Sequence, residues 1–63
     1  MKNQEAFDTL FKSANVELEK TQQTGATYFA CGDTMHIREA ADRIERIQSL
    51  LQALHQLQGQ WQQ

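Results

Sequence analysis

The residues of this 63-residue chain whose side chains are best suited to metal binding or reaction lie near its midpoint. Cys31, Asp33, His36 and Glu39 carry thiol, carboxylate and imidazole groups, which are the ligands that zinc and other transition metals prefer. Their spacing matches no recognised Cys/His motif, and a turn of chain would have to wrap around the ion. We therefore expect no metal here, with Cys31 as a small, partly buried side chain, Asp33 as a helix cap and His36 as a surface residue.

Catalytic groups are not arranged for a reaction. Ser13 and Ser49 have no histidine at positions compatible with a triad, and a small helical unit offers no concave cleft for a substrate. No glycine-rich phosphate loop is present either. The sequence predicts a protein that is not an enzyme and that binds no cofactor.

Three arginines, Arg38, Arg43 and Arg46, invite a nucleic-acid interpretation. The formal net charge of the chain is −2, which provides no general attraction to a polyanion. Carboxylates also lie four residues from each arginine, so helical ion pairs are predicted for Arg38–Asp42, Glu39–Arg43 and Asp42–Arg46, and likewise for Asp8–Lys12. Binding of RNA or DNA by a dimeric helical bundle, acting as a small regulator, is kept as the alternative function.

The elements that would position these residues are predicted from the glycines and from the absence of proline. Gly32-Asp33 falls at the midpoint, where glycine can end one helix in the left-handed conformation and aspartate can cap the next. We predict an all-α fold, an antiparallel helical hairpin with helices over about residues 4–31 and 34–59. It forms a single domain, 1–63, with frayed ends at 1–3 and 60–63.

Apolar residues recur in both halves at alternating steps of three and four, a coiled-coil-like pattern. In the first half the stripe comprises Phe7, Phe11, Ala14, Leu18, Thr21, Gly25 and Tyr28, and Leu10 and Phe29 flank these residues on the same stripe. In the second half it comprises Ile37, Ala40, Ile44, Ile47, Leu51, Leu54, Gln58 and Trp61. Folding the chain back at Gly32 pairs Gly25 with Ala40, so that small residues meet near the turn and bulky ones fill the open end.

The stretch from Thr21 to Thr27 has few apolar residues and leaves an alternative, in which a shorter first helix is followed by a loop or short strand over 25–32. The small-to-small pairing of Gly25 with Ala40 favours one long helix. In addition, the segment Gly25-Ala-Thr-Tyr28-Phe29-Ala-Cys-Gly32-Asp33 resembles the end of the first helix and the turn of a tetratricopeptide repeat. The resemblance covers these nine residues and implies a helix–turn–helix with a Gly-Asp turn.

The apolar surface widens in the last third of the chain beyond what one partner helix can cover. One interpretation is that the first helix leans over and covers it. The other is a second interface, because large apolar patches are uncommon on monomers. We predict partner binding by the residues of the open end, namely Phe7, Leu10, Phe11, Leu50, Leu54, Leu57 and Trp61.

A chain this short needs outside support, and its single cysteine excludes an internal disulfide, so self-association into a homodimeric four-helix bundle is expected. The predicted function is a small protein–protein interaction module, as an inhibitor, adaptor or co-chaperone of a larger protein. A structural subunit completed inside a hetero-complex is a further alternative. No apolar stretch approaches the roughly 18 residues of a membrane span, and the lone cysteine suits a reducing compartment, so we expect a cytoplasmic protein without membrane partners.

Overall fold

Two long helices make up the described part of the chain. A computed structural model describes the backbone of residues 2–61 and the side chains of residues 4–60. Helix α1 spans Lys2–Cys31 and helix α2 spans Thr34–Trp61, which confirms the predicted helical hairpin. The inner bounds are those predicted, whereas α1 begins two residues earlier and α2 ends two residues later than predicted. Both helices therefore include part of the ends expected to fray. Met1, Gln62 and Gln63 lie outside the described residues.

The turn is a Schellman motif followed directly by a helix cap. Gly32 has a φ of 72°, its N–H donates to the Phe29 carbonyl at 3.1 Å, and the Asp33 N–H donates to the Tyr28 carbonyl at 3.0 Å. These two bonds satisfy carbonyls that the end of α1 would otherwise leave unpaired. Asp33 Oδ1 then accepts the backbone N–H of His36 at 3.3 Å, the N-cap interaction that starts α2.

The doubtful stretch from Thr21 to Thr27 is continuous α-helix, so the long first helix is confirmed. Its threonines bond within the helix: the hydroxyls of Thr21, Thr24 and Thr27 donate to the carbonyls four residues earlier at 2.8, 2.9 and 3.1 Å. Each hydroxyl is thereby satisfied without an outside partner. This bonding lets polar residues occupy a helix segment that has little apolar surface.

The predicted register is confirmed at the turn end. A Cβ placed on Gly25 would lie 3.3 Å from the Ala40 Cβ, so the two backbones approach closely at this pair. The Phe11 ring contacts the His55 ring at a centroid distance of 4.6 Å near the other end. The buried apolar side chains all belong to the predicted stripes: Ala14, Ala40, Ile47 and Leu54.

The hairpin is thin and elongated, with extents of 47 × 15 × 10 Å and a radius of gyration of 14.6 Å. It exposes 5201 Å² of surface, whereas a compact monomer of its mass of 7.3 kDa would expose about 4,200 Å². No side chain among residues 4–60 is less than 2% exposed. The contact between two helices therefore buries one stripe and leaves both broad faces uncovered. Neither helix, over the described residues, is long and apolar enough to cross a membrane.

Candidate interaction surfaces

The polar residues at the turn are bonded to one another. Asp33 Oδ2 contacts His36 Nδ1 at 2.6 Å, and the His36 ring stacks on Tyr28 with centroids 4.5 Å apart. The backbone N–H of His36, and secondarily its side chain, hold the pKa of Asp33 below its ordinary value. Cys31 is exposed, not partly buried as predicted, because it lies at the helix end beside the turn. Over residues 4–60, no three His, Cys, Asp or Glu side chains are grouped so that they could hold a metal.

The predicted helical ion pairs do not form. Among the described side chains, acidic and basic groups approach within 4.0 Å only at Asp33 and His36. The four pairs predicted from their i,i+4 spacing were therefore wrong. Asp8 instead accepts a hydrogen bond from Gln4 Nε2 at 2.9 Å. Exposed pairs gain little in water and lose side-chain entropy, so spacing alone does not close them.

One broad face carries a groove between the helices near the turn, which we call the charged groove. Its rim contains three carboxylates and three cations, so the formal charges of these six side chains cancel. The rim consists of Glu17, Lys20, Glu39, Asp42, Arg43 and Arg46. Two of the three arginines of the nucleic-acid alternative, Arg43 and Arg46, are therefore brought together here among carboxylates, while Arg38 is not part of the groove.

The same face becomes apolar toward the open end of the hairpin. Leu10 lies seven residues before Glu17, and Leu50 lies seven residues after Arg43; seven residues are nearly two helical turns, so each leucine shares the face of its groove residue. Leu10, Leu50 and Leu57 are 50%, 50% and 45% exposed. We call these three leucines the open-end patch.

The other residues of the predicted partner site are placed differently. Phe7 and Phe11 are half-buried, with ring centroids 6.5 Å apart, and the Phe11 ring packs on that of His55. Leu54 is only 6% exposed and belongs to the contact between the two helices. The side chain of Trp61 lies outside the described residues. The accessible part of the predicted site is thus the open-end patch and the edges of the two phenylalanines.

The opposite broad face has an apolar groove at the turn end, which sequence reasoning did not single out. This turn-end groove is lined by Gln22, Gly25, Ala26, Phe29, Ile37, Ala40, Ala41 and Ile44. Phe29 is 74% exposed at its edge. The signal in the sequence was the spacing of Gln22, Ala26 and Phe29 by four and three residues, which places them on one side of the stripe. Sequence reasoning instead assigned Phe29 to the stripe itself.

Apolar surface is thus distributed along a diagonal. One face is charged at the turn end and apolar at the open end. The other face is apolar at the turn end and carries polar residues, including Asn15, Glu19, Gln48 and Gln52, toward the open end. On each face, the polarity of the surface therefore changes from one end of the hairpin to the other.

No known protein family, characterised protein or solved structure shows a significant match to this chain.

Proposed function

We propose that this protein is a non-enzymatic protein–protein interaction module. Its open-end patch takes up a second copy of the chain, giving a four-helix bundle, and its remaining surface binds a larger protein as an inhibitor, adaptor or co-chaperone. The observation that carries the proposal is the open-end patch, where three large aliphatic side chains on one face are each about half exposed. Such exposure on a chain this small is typical of an interface.

The size of the uncovered surface supports the same proposal. The hairpin exposes 5201 Å², about 1,000 Å² more than a compact monomer of its mass. A protein–protein interface of standard size buries about 800 Å² on each partner. One interface of standard size is therefore enough to bring the exposed surface close to that of a compact chain.

The energy available from the open-end patch is sufficient to control association. Covering the exposed half of a leucine side chain contributes about 1 kcal/mol. In a symmetric dimer Leu50 and Leu57 count twice, so together they contribute about 4 kcal/mol, which corresponds to about a thousandfold in Kd. Loss of these two leucines should therefore convert a micromolar dimer into a monomer.

The decisive experiment compares two charge-matched double variants by sedimentation at micromolar concentration, with helicity followed by circular dichroism. Leu50→Glu with Leu57→Glu is expected to dissociate the dimer. The control, Gln48→Glu with Gln52→Glu, adds the same charge at exposed positions on the opposite face of α2 and is expected to leave the dimer intact.

Since the lone hairpin has a small core, the glutamate variant could also lose helicity. Leu50→Ala with Leu57→Ala separates the two effects, because alanine favours helix and introduces no charge; it should weaken the dimer while helicity recovers at high protein concentration. A folded wild-type monomer, or a leucine double variant with unchanged mass and helicity, contradicts the proposal. Dissociation by the control alone would place the interface on the other face.

The nucleic-acid alternative has its own test. Retention of the wild-type chain on a polyanion resin at low salt, lost in Arg43→Ala with Arg46→Ala and kept in Arg38→Ala, would favour it. We expect no retention, because the charged groove sets three carboxylates among its three cations.

A further inference from the structure

We propose, on the basis of the dimer inferred above, that the two hairpins pack with their turns at the same end, related by a twofold axis parallel to the helices. The contact is the face that carries the open-end patch and the charged groove. In this arrangement leucines of one copy meet leucines of the other, and each charged groove meets its counterpart.

This face is apolar at one end and charged at the other, and that difference determines which alignment is favourable. Leu10, Leu50 and Leu57 lie at the open end, and the six ionisable side chains of the charged groove lie nearer the turn. If the two copies ran in opposite directions at full overlap, each open-end patch would cover the other copy's charged groove. Six charges on each copy would then lose water against leucine side chains, which is strongly unfavourable. Parallel alignment instead sets the charges of one groove against opposite charges of the other, so that pairing offsets the loss of water.

A shifted antiparallel dimer, in which the open ends alone overlap, would also join the leucines. The broad face measures 47 by 15 Å, so a full-length contact covers about 700 Å² on each copy, close to the roughly 800 Å² of a standard interface. The shifted arrangement covers about half of that area, which is in the range of weak contacts. The full-length parallel contact therefore fits the surface that a stable dimer needs.

The charges of the groove are compatible with a second copy facing them. Glu17, Glu39 and Asp42 balance Lys20, Arg43 and Arg46, all on the rim of one groove. Apposition of two such grooves creates no net repulsion. None of these six side chains has an ion-pair partner within 4.0 Å in the isolated hairpin, so they are available for pairing across the interface, directly or through water.

The single cysteine provides a direct test. Cys31 is exposed at the turn, so a nitroxide label on it reports the distance between the two turns. Because it lies seven residues after Thr24, which lines the charged groove, it is on the face proposed for the contact. Parallel alignment predicts a label-to-label distance of about 15–25 Å, from helices 8–10 Å apart in a bundle. Antiparallel alignment at full overlap predicts about 45 Å, and the shifted arrangement more than about 60 Å, because each residue advances 1.5 Å along a helix.

The outcomes separate the alignment from the dimer itself. Sedimentation of the labelled chain is run on the same sample. A dimer with the short distance supports the proposal, and a dimer with either long distance overturns the alignment while keeping the proposed function. A monomer overturns both. Label placed at Gln60→Cys in a Cys31→Ser background should give a short distance as well under parallel alignment and a long one under antiparallel alignment at full overlap.

A second test uses charge complementarity between the two grooves. Arg43→Glu with Arg46→Glu makes one groove strongly acidic, and Glu17→Lys with Glu39→Lys makes it strongly basic. If the grooves face each other, each variant alone should dimerise at least tenfold more weakly at low salt, and a mixture should form the heterodimer preferentially. Reversal of Arg38, which is outside the groove, serves as the control. Heterodimer no more abundant than random pairing of the two variants gives, roughly half of all dimers, would refute facing grooves.

Discussion

Replacement of Gly32 tests whether the turn depends on a left-handed residue. Gly32 has a φ of 72°, and a Cβ built there meets no atom within 4 Å. Any cost of adding a methyl group is therefore a cost of backbone conformation and not of crowding. Alanine of either hand can be introduced by chemical synthesis, because the chain has 63 residues.

The magnitude follows from two opposing effects. An L-residue held in the left-handed region costs about 1–2 kcal/mol. Replacing glycine by alanine also restricts the unfolded chain, which returns about 0.4–1 kcal/mol of stability. Gly32→Ala should thus lower the free energy of unfolding by about 1 kcal/mol. D-alanine at the same position keeps the unfolded-state gain without the strain, so it should match or exceed glycine.

The assay is urea unfolding followed by circular dichroism at one fixed protein concentration, since association adds to apparent stability. With a slope of about 1 kcal/mol per molar urea, the L- and D-alanine proteins should differ in midpoint by about 1–2 M. Equal midpoints for glycine and L-alanine, or a D-alanine protein less stable than the L-alanine one, would refute the Schellman turn as the basis of the hairpin.

Two further predictions concern the turn end. Gly25→Leu should lower the free energy of unfolding by about 1–3 kcal/mol, because its first carbon alone would lie 3.3 Å from the Ala40 Cβ; Gly59→Leu, which meets nothing within 4 Å, should cost no stability in the same urea titration. The hydrogen bond from the His36 backbone N–H lowers the pKa of Asp33 from 3.8, so the folded state gains stability above that pH and loses it as the pH falls through the lower folded value. Asp33→Asn keeps a capping oxygen but does not titrate, and its acid unfolding curve should be flatter than that of the wild type as the pH falls below 3.8.

Much of the fold could be predicted because each element has a local cause. Gly32-Asp33 supplies both a left-handed residue and a cap, and the close approach of Gly25 to Ala40 follows from pairing small residues across the turn. The stretch around Thr24 was harder, since threonine has low helix propensity and carries no apolar stripe. Its hydroxyl bond to the Lys20 carbonyl is a property of the formed helix, which a count of apolar residues does not detect.

The candidate surfaces were predictable in part for a related reason. Periodicity correctly placed Leu54 in the stripe and Leu50 and Leu57 beside it. The predicted partner site nevertheless included all three, although Leu54 is buried. Phe29 was assigned to the stripe between the helices, but its side chain is 74% exposed. At the edge of a stripe a rotation of a few tens of degrees decides whether a side chain faces the partner helix or water, and such rotations depend on how the two helices pack.

The diagonal distribution of apolar surface gives this small hairpin a property that neither helix has alone. An amphipathic helix with a uniform second stripe would accept a partner in either direction. Here a partner on one face finds leucines at the open end and charges at the turn end, and a partner on the other face finds Phe29 and the turn-end groove at the turn. Reversing either partner would place apolar side chains against polar ones, at a cost in desolvation. The order of residues along each broad face therefore determines the direction in which a partner would dock. The stripe between the helices determines only how the two helices pack.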